Sequence, residues 1–189
     1  MKSTFITITF ISVLVNFCFT QEKSNETHFG FAINSSLTRE LESPSVTPTI
    51  VYYKKNNQLE LGLTTYPFYS NHLKYYRRFG CDFSYKYFPN GIQNVFNLYL
   101  VTNINYTITY SDYTYIINPY ISREYYLNLM GGFGFDVKVF KKGYIGTNVN
   151  IGAATFGKKS TNTGSIYDYK LFEQFYLDGA IRLNIAYRF

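Results

Sequence analysis

Tyr176–Phe189 reads YLDGAIRLNIAYRF, and its alternate residues fall into two sets of different chemistry. Leu177, Gly179, Ile181, Leu183, Ile185, Tyr187 and Phe189 form one; Tyr176, Asp178, Ala180, Arg182, Asn184, Ala186 and Arg188 form the other. A period of two marks a β-strand, because successive side chains leave opposite sides of the pleat. One side of this strand is therefore apolar. The other is small, polar and charged, and the sequence finishes on an apolar aromatic, Phe189. Such a strand belongs between an apolar phase and a polar one.

The same alternation recurs upstream. Phe29, Phe31, Ile33 and Leu37 oppose Gly30, Ala32, Asn34 and Ser36; Leu59, Leu61 and Leu63 oppose Glu60, Gly62 and Thr64. Phe79, Cys81, Phe83, Tyr85 and Tyr87 oppose Gly80, Asp82, Ser84 and Lys86. Phe96, Leu98, Leu100, Ile104 and Tyr106 oppose Asn97, Tyr99, Asn103 and Asn105. Leu127, Leu129, Phe133, Phe135, Val137 and Val139 oppose Asn128, Gly132, Gly134, Asp136 and Lys138, and Ile145, Val149, Ile151 and Ala153 oppose Gly146, Asn148, Asn150 and Gly152. Residues 47–55, TPTIVYYKK, read as a further strand with both faces mixed. That makes eight strands and no helical segment.

Connections alternate in length. Lys54–Asn57, Pro89–Gly91 and Lys141–Gly143 are short, whereas segments near 38–46, 67–75, 109–123 and 157–171 read as long loops. An even number of strands with short turns at one end and long loops at the other predicts an all-β fold, an eight-stranded antiparallel up-and-down transmembrane β-barrel.

Composition agrees. At 189 residues the chain suits one domain. Only 16% of it is charged, and 21% is aromatic, with 21 Tyr, 18 Phe and no Trp; Tyr favours apolar–aqueous boundaries. No long apolar run follows residue 20, which excludes a helical membrane protein. The net charge of +6 is mild and dispersed, unlike the clustered patch that nucleic acid requires.

Alternation alone does not say which face is inside. A soluble barrel points its apolar face inward; a bilayer barrel can invert this. The polar face here is rich in Gly, Asn and Ser, with isolated charges at Glu60, Asp82, Lys86, Asp136, Lys138, Asp178 and Arg182. Small side chains and few charges of mixed sign suit a narrow lumen in which they neutralise one another. Glycines at 62, 80, 132, 134, 146 and 152 leave room on a crowded inner wall. Tyr85, Tyr87, Tyr187 and Phe189 gather towards the short-turn end, and Tyr106 and Tyr125 towards the long-loop end, as two interfacial girdles would.

The start, MKSTFITITFISVLVNFCFTQEK, has a basic Lys2, an apolar stretch Phe5–Phe19 and then polar residues. It predicts a cleaved signal peptide over 1–20, with the cut between Thr20 and Gln21. A short segment 21–27 and the barrel 28–189 follow. Cleavage removes Cys18 and leaves Cys81 without an intrachain disulfide partner.

A strand of alternating apolar residues ending in Phe189 resembles the outer-membrane β-barrel proteins of Gram-negative bacteria. In that family such an ending is read by the barrel-insertion machinery; the matching positions are Phe189, Tyr187, Ile185, Leu183 and Ile181. The small eight-stranded members, OmpX-like or OmpW-like, and the outer membrane protein beta-barrel domain of Bacteroidetes are the nearest types. The resemblance covers 28–189 and implies the cell outer membrane, its lipid and the insertion machinery as partners. It carries no family-specific functional motif.

Catalytic chemistry is poorly represented. His28 and His72 are the only histidines, with no zinc-ligand spacing. His72 has Ser70 nearby but no nucleophile-elbow motif, and Gly131–Gly134 lies within a strand rather than before a helix. No cofactor is implied. Lys158-Lys159 and Arg77-Arg78, near the long loops, are candidates for contact with lipopolysaccharide phosphates. The leading expectation is a non-enzymatic integral outer-membrane barrel with a structural or surface-binding role through its long loops, whose ligand the sequence does not name. A narrow channel for small hydrophobic solutes is the second reading, and a soluble lipocalin-like carrier, with Phe29, Phe31, Leu183 and Ile185 turned inward, is the third.

Overall fold

A computed structural model describes residues 27–38, 44–67, 75–113, 120–160 and 170–189. They form eight strands: β1 Thr27–Thr38, β2 Ser45–Lys54, β3 Asn57–Thr65, β4 Tyr75–Tyr87, β5 Phe96–Tyr113, β6 Tyr120–Lys138, β7 Gly143–Ser160 and β8 Phe175–Arg188. Each pairs antiparallel with its sequence neighbour, and β8 pairs with β1 to close the ring. The proposed signal segment 1–20 and residues 21–26 lie outside the described residues.

Closure fixes the geometry. The register can be followed from Gly30 through Val51, Glu60, Ser84, Asn103, Met130 and Gly152 to Asp178. The β8–β1 pairing, Ala180 against Thr38, returns that path to β1 ten residues further along, a shear of ten. Eight strands with that shear tilt by about 40° to the barrel axis, so a register row climbs as it circles the wall.

The faces are inverted relative to a soluble barrel. Phe31, Leu63, Phe133, Leu183 and Ile185 are 57%, 69%, 67%, 60% and 62% exposed. Asn34, Glu60, Asp82, Lys86 and Asp136 are buried. The soluble-carrier reading needed Phe29, Phe31, Leu183 and Ile185 inside; all four point out. A band of exterior so apolar, on strands whose other face carries buried charges, is stable only where hydrocarbon replaces water. The mixed strand resolves likewise: Ser45, Thr47, Thr49, Val51 and Tyr53 are buried, while Pro48 and Ile50 are exposed.

The expected loop 109–123 is largely strand, and the one at 157–171 begins as strand. β5 runs to Tyr113 and β6 starts at Tyr120, with Tyr110 opposite Arg123, so only 114–119 lie beyond the described strands. β7 continues to Ser160 through Lys158 and Lys159. The apolar–polar signal fades there because polar and aromatic residues follow one another without contrast, yet Tyr, Thr and Ile keep their preference for the pleated backbone.

Two inward glycines are set by close approach. A Cβ on Gly152 would strike the Leu129 carbonyl oxygen and the Met130 Cα, and one on Gly132 the Val149 carbonyl oxygen; these are backbone atoms with no rotamer to yield. On outward Gly179 the nearest atom would be 3.6 Å away. Gly152→Ala is therefore expected to reduce the folded fraction and cost about 1–3 kcal/mol, as overpacking does, while Gly179→Ala stays near wild type. Urea titration of the two variants in lipid vesicles distinguishes them; equal midpoints would show that the wall has slack.

Candidate functional site

The interior holds all the concentrated chemistry, in layers along the axis. At mid-height Asp82 on β4 faces Arg182 on β8 across the lumen. The guanidinium donates to both carboxylate oxygens, Nη1 to Oδ1 at 2.9 Å and Nη2 to Oδ2 at 2.7 Å. Ser84, Asn103 and Asn105 also donate to the carboxylate, at 3.2, 2.9 and 3.3 Å. A desolvated ion pair is tolerable only when its remaining lone pairs are met in this way.

Nearer the short-turn end Lys86 Nζ lies 2.7 Å from Glu60 Oε1, both fully buried. Asn34 donates to the other oxygen at 3.1 Å, and Gln58 also donates to Glu60. Lys86 Nζ sits 4.8 Å from the Tyr99 ring centroid. Lower still, Asn184 donates to Asp136 at 3.1 Å and the Arg188 guanidinium approaches it at 3.5 Å. Arg188 donates to the Ile92 carbonyl at 2.6 Å and lies 3.6 Å from the Tyr144 ring centroid.

Around the two lower pairs the lumen also carries an apolar cluster. Val51, Tyr53, Phe88, Ile92, Tyr99 and Tyr144 pack together as a floor, with Phe88 against Tyr99 at 5.1 Å between centroids. The inner face was expected to be rich in Gly, Asn and Ser with isolated charges; aromatic rings, Tyr99 among them, also fill this end. Phe88 is in phase with Asp82, Ser84 and Lys86, and the turn after β4 folds Ile92 in beneath the ring. Gly91, at φ 78°, permits the reversal.

Above the Asp82–Arg182 pair a cavity of about 20 Å³ is bounded by Thr38, Thr47, Tyr66, Asn105, Asn128 and that pair. This is room for about one water molecule. Over it Arg78 spans the mouth, its Nε donating to Thr109 Oγ1 at 2.7 Å and its guanidinium 5.2 Å and 5.7 Å from the Tyr66 and Tyr126 rings. Glu124 and Lys158 pair beside it at 3.3 Å.

Of the charges singled out in the sequence, Glu60, Asp82, Lys86, Asp136 and Arg182 meet in these layers. Asp178 is buried higher on β8, where its Oδ1 accepts the Gly179 N–H at 2.8 Å. Lys138 is half-buried at the rim, its backbone N–H donating to the Val95 carbonyl. Arg188 was missing from that set, although it belongs to the polar face of the closing strand. Ile181, Leu183, Ile185, Tyr187 and Phe189 all face outward, and the Phe189 N–H donates to the Phe29 carbonyl at 2.9 Å. Cys81 is exposed on the same outer face. Ser70 and His72 lie outside the described residues, and among the described residues no three His, Cys, Asp or Glu side chains gather to hold a metal.

No protein-family model and no curated protein matches the chain. Solved structures do. The N-terminal β-barrel domain of Pseudomonas aeruginosa OprF superimposes with a TM-score of 0.52 at 10% identity, over 89% of this chain and 100% of that one. A major outer membrane protein from Thermus thermophilus superimposes with a TM-score of 0.58 at 12% identity, over 87% of this chain and 100% of that one. At such identity the likeness is one of fold. The chain has the fold of an integral outer-membrane β-barrel, and its exterior meets the physical requirement of one.

Proposed function

We propose that this protein is a sealed, non-enzymatic barrel of the cell outer membrane, with its short turns in the periplasm and its long-loop end at the cell surface. The filled lumen carries this reading: among the described residues an aromatic floor and three buried ion pairs occupy the bore, Arg78 lies over them, and the cavity above the Asp82–Arg182 pair has room for about one water molecule. The barrel then serves as a rigid mount, and contact with the surroundings falls to the surface loops. Kinship with OmpX-like or OmpW-like barrels belongs to the same proposal, as does reading of Ile181, Leu183, Ile185, Tyr187 and Phe189 by the insertion machinery.

A channel for small hydrophobic solutes would need an apolar path, whereas the middle of this lumen is lined by carboxylates, guanidinium and amides. Purified, folded protein in a planar bilayer is therefore expected to give no conductance steps. Reproducible steps from the folded, heat-modifiable form would reject the sealed barrel and favour the channel.

A further inference from the structure

Three charged dipeptides near the long-loop end are each split by the pleat. Arg78, Glu124 and Lys158 lie on one inward register row with Thr109. Their chain neighbours Arg77, Arg123 and Lys159 lie on the adjacent outward row, in register with Tyr110. All three outward cations are exposed. The row beneath them is Phe79, Ile108, Tyr125 and Gly157, the upper edge of the apolar band. Tyr110 stacks on Phe79 at 5.7 Å, and the Arg123 guanidinium lies 5.4 Å from the Tyr110 ring. Glu124 is drawn inward by Lys158. Asp112 lies two residues further along β5, in register with Tyr75 and Ile121.

Neighbouring strands are about 4.8 Å apart, so with a tilt near 40° each step from β4 to β7 climbs about 3 Å. Arg77, Arg123 and Lys159 thus rise as a stair over about 9 Å, starting where the hydrocarbon ends. That span covers the headgroup layer, about 5–8 Å deep in each leaflet. Three exposed cations on one outward row at the upper edge of the apolar band call for an anion carried by the lipid itself.

We infer that Arg77, Arg123 and Lys159, braced by Tyr110, form a lateral site for the phosphate groups of a phosphorylated glycolipid of the outer leaflet, lipopolysaccharide. The inference rests on the outer-membrane placement proposed above. Guanidinium groups bind phosphate through paired donors, and Lys159 adds a point charge.

The test uses full-length folded protein and fluorescent lipopolysaccharide. Each basic residue near an anionic surface contributes about a five-fold gain in affinity, so the triple variant R77Q/R123Q/K159Q is expected to bind about a hundred-fold more weakly. K141Q/K142Q, at the opposite end, should bind as wild type does. Equal binding by wild type and the triple variant overturns the site, as does equal binding of lipopolysaccharide stripped of its phosphates. Saturation by inorganic phosphate alone, with the same dependence on the three residues, overturns the lipid as its source. Should the triple variant fail to fold, R123Q alone carries the test, with about a five-fold loss expected. Heat-modifiable migration and resistance to carbonate extraction are read separately. A wild type that fails those refutes the membrane placement rather than the phosphate site.

Discussion

Asp82→Ala is expected to lower the unfolding free energy by about 3–5 kcal/mol, as removal of one partner from a buried ion pair does. Attraction alone does not account for this. Removing the aspartate leaves the Arg182 guanidinium buried, with Ser84 Oγ as its remaining side-chain hydrogen-bond partner among the described residues. The cavity beside the charge has room for about one water molecule. The double variant D82A/R182M should regain most of the loss, because a well-packed apolar replacement of a buried pair is often neutral. Urea titration of the wild type, both single variants and the double variant in lipid vesicles gives the coupling directly. A loss below about 1 kcal/mol for Asp82→Ala would mean that the lumen is hydrated enough to solvate a lone guanidinium.

Leu183→Arg is expected to cost about 2–4 kcal/mol in a bilayer. Leu183 is 60% exposed near the middle of β8, where a soluble protein would accept arginine at almost no cost. The size of the effect separates the two solvents. Hydrocarbon strongly disfavours a cation, although snorkelling lowers the penalty, whereas water solvates it freely. Vesicle-inserted protein should therefore lose stability on this substitution. An unchanged midpoint would place Leu183 in an aqueous setting and overturn the inverted barrel.

The strands were legible in the sequence wherever one face met hydrocarbon and the other met polar groups. Phe79 to Tyr87 and Leu177 to Phe189 are clear examples, since each residue's environment is opposite to its neighbour's. Legibility failed where that contrast weakened. Residues 109–113 and 120–123 stand beyond the hydrocarbon edge, so Tyr, Ser, Asp and Arg follow one another without alternation and only backbone pairing declares the strand. The site was half legible. Period two assigns Glu60, Asp82 and Arg182 to one face, but which carboxylate meets which cation depends on shear, a property of the closed ring. Asp82 and Arg182 are a hundred residues apart in the chain. The stair of Arg77, Arg123 and Lys159 was hidden for the same reason, since three separate dipeptides become one row only through the registers of β4 to β7.

Those cross-lumen pairings also tie ring closure to charge neutralisation. Asp82 on β4 and Asp136 on β6 both find their guanidinium on β8, at Arg182 and Arg188. A half-built sheet, curled but not yet sealed, would hold two uncompensated carboxylates facing its concave side. The strand that completes the hydrogen-bonded ring is thus also the one that neutralises those two carboxylates, which makes the seam a latch rather than a mere edge.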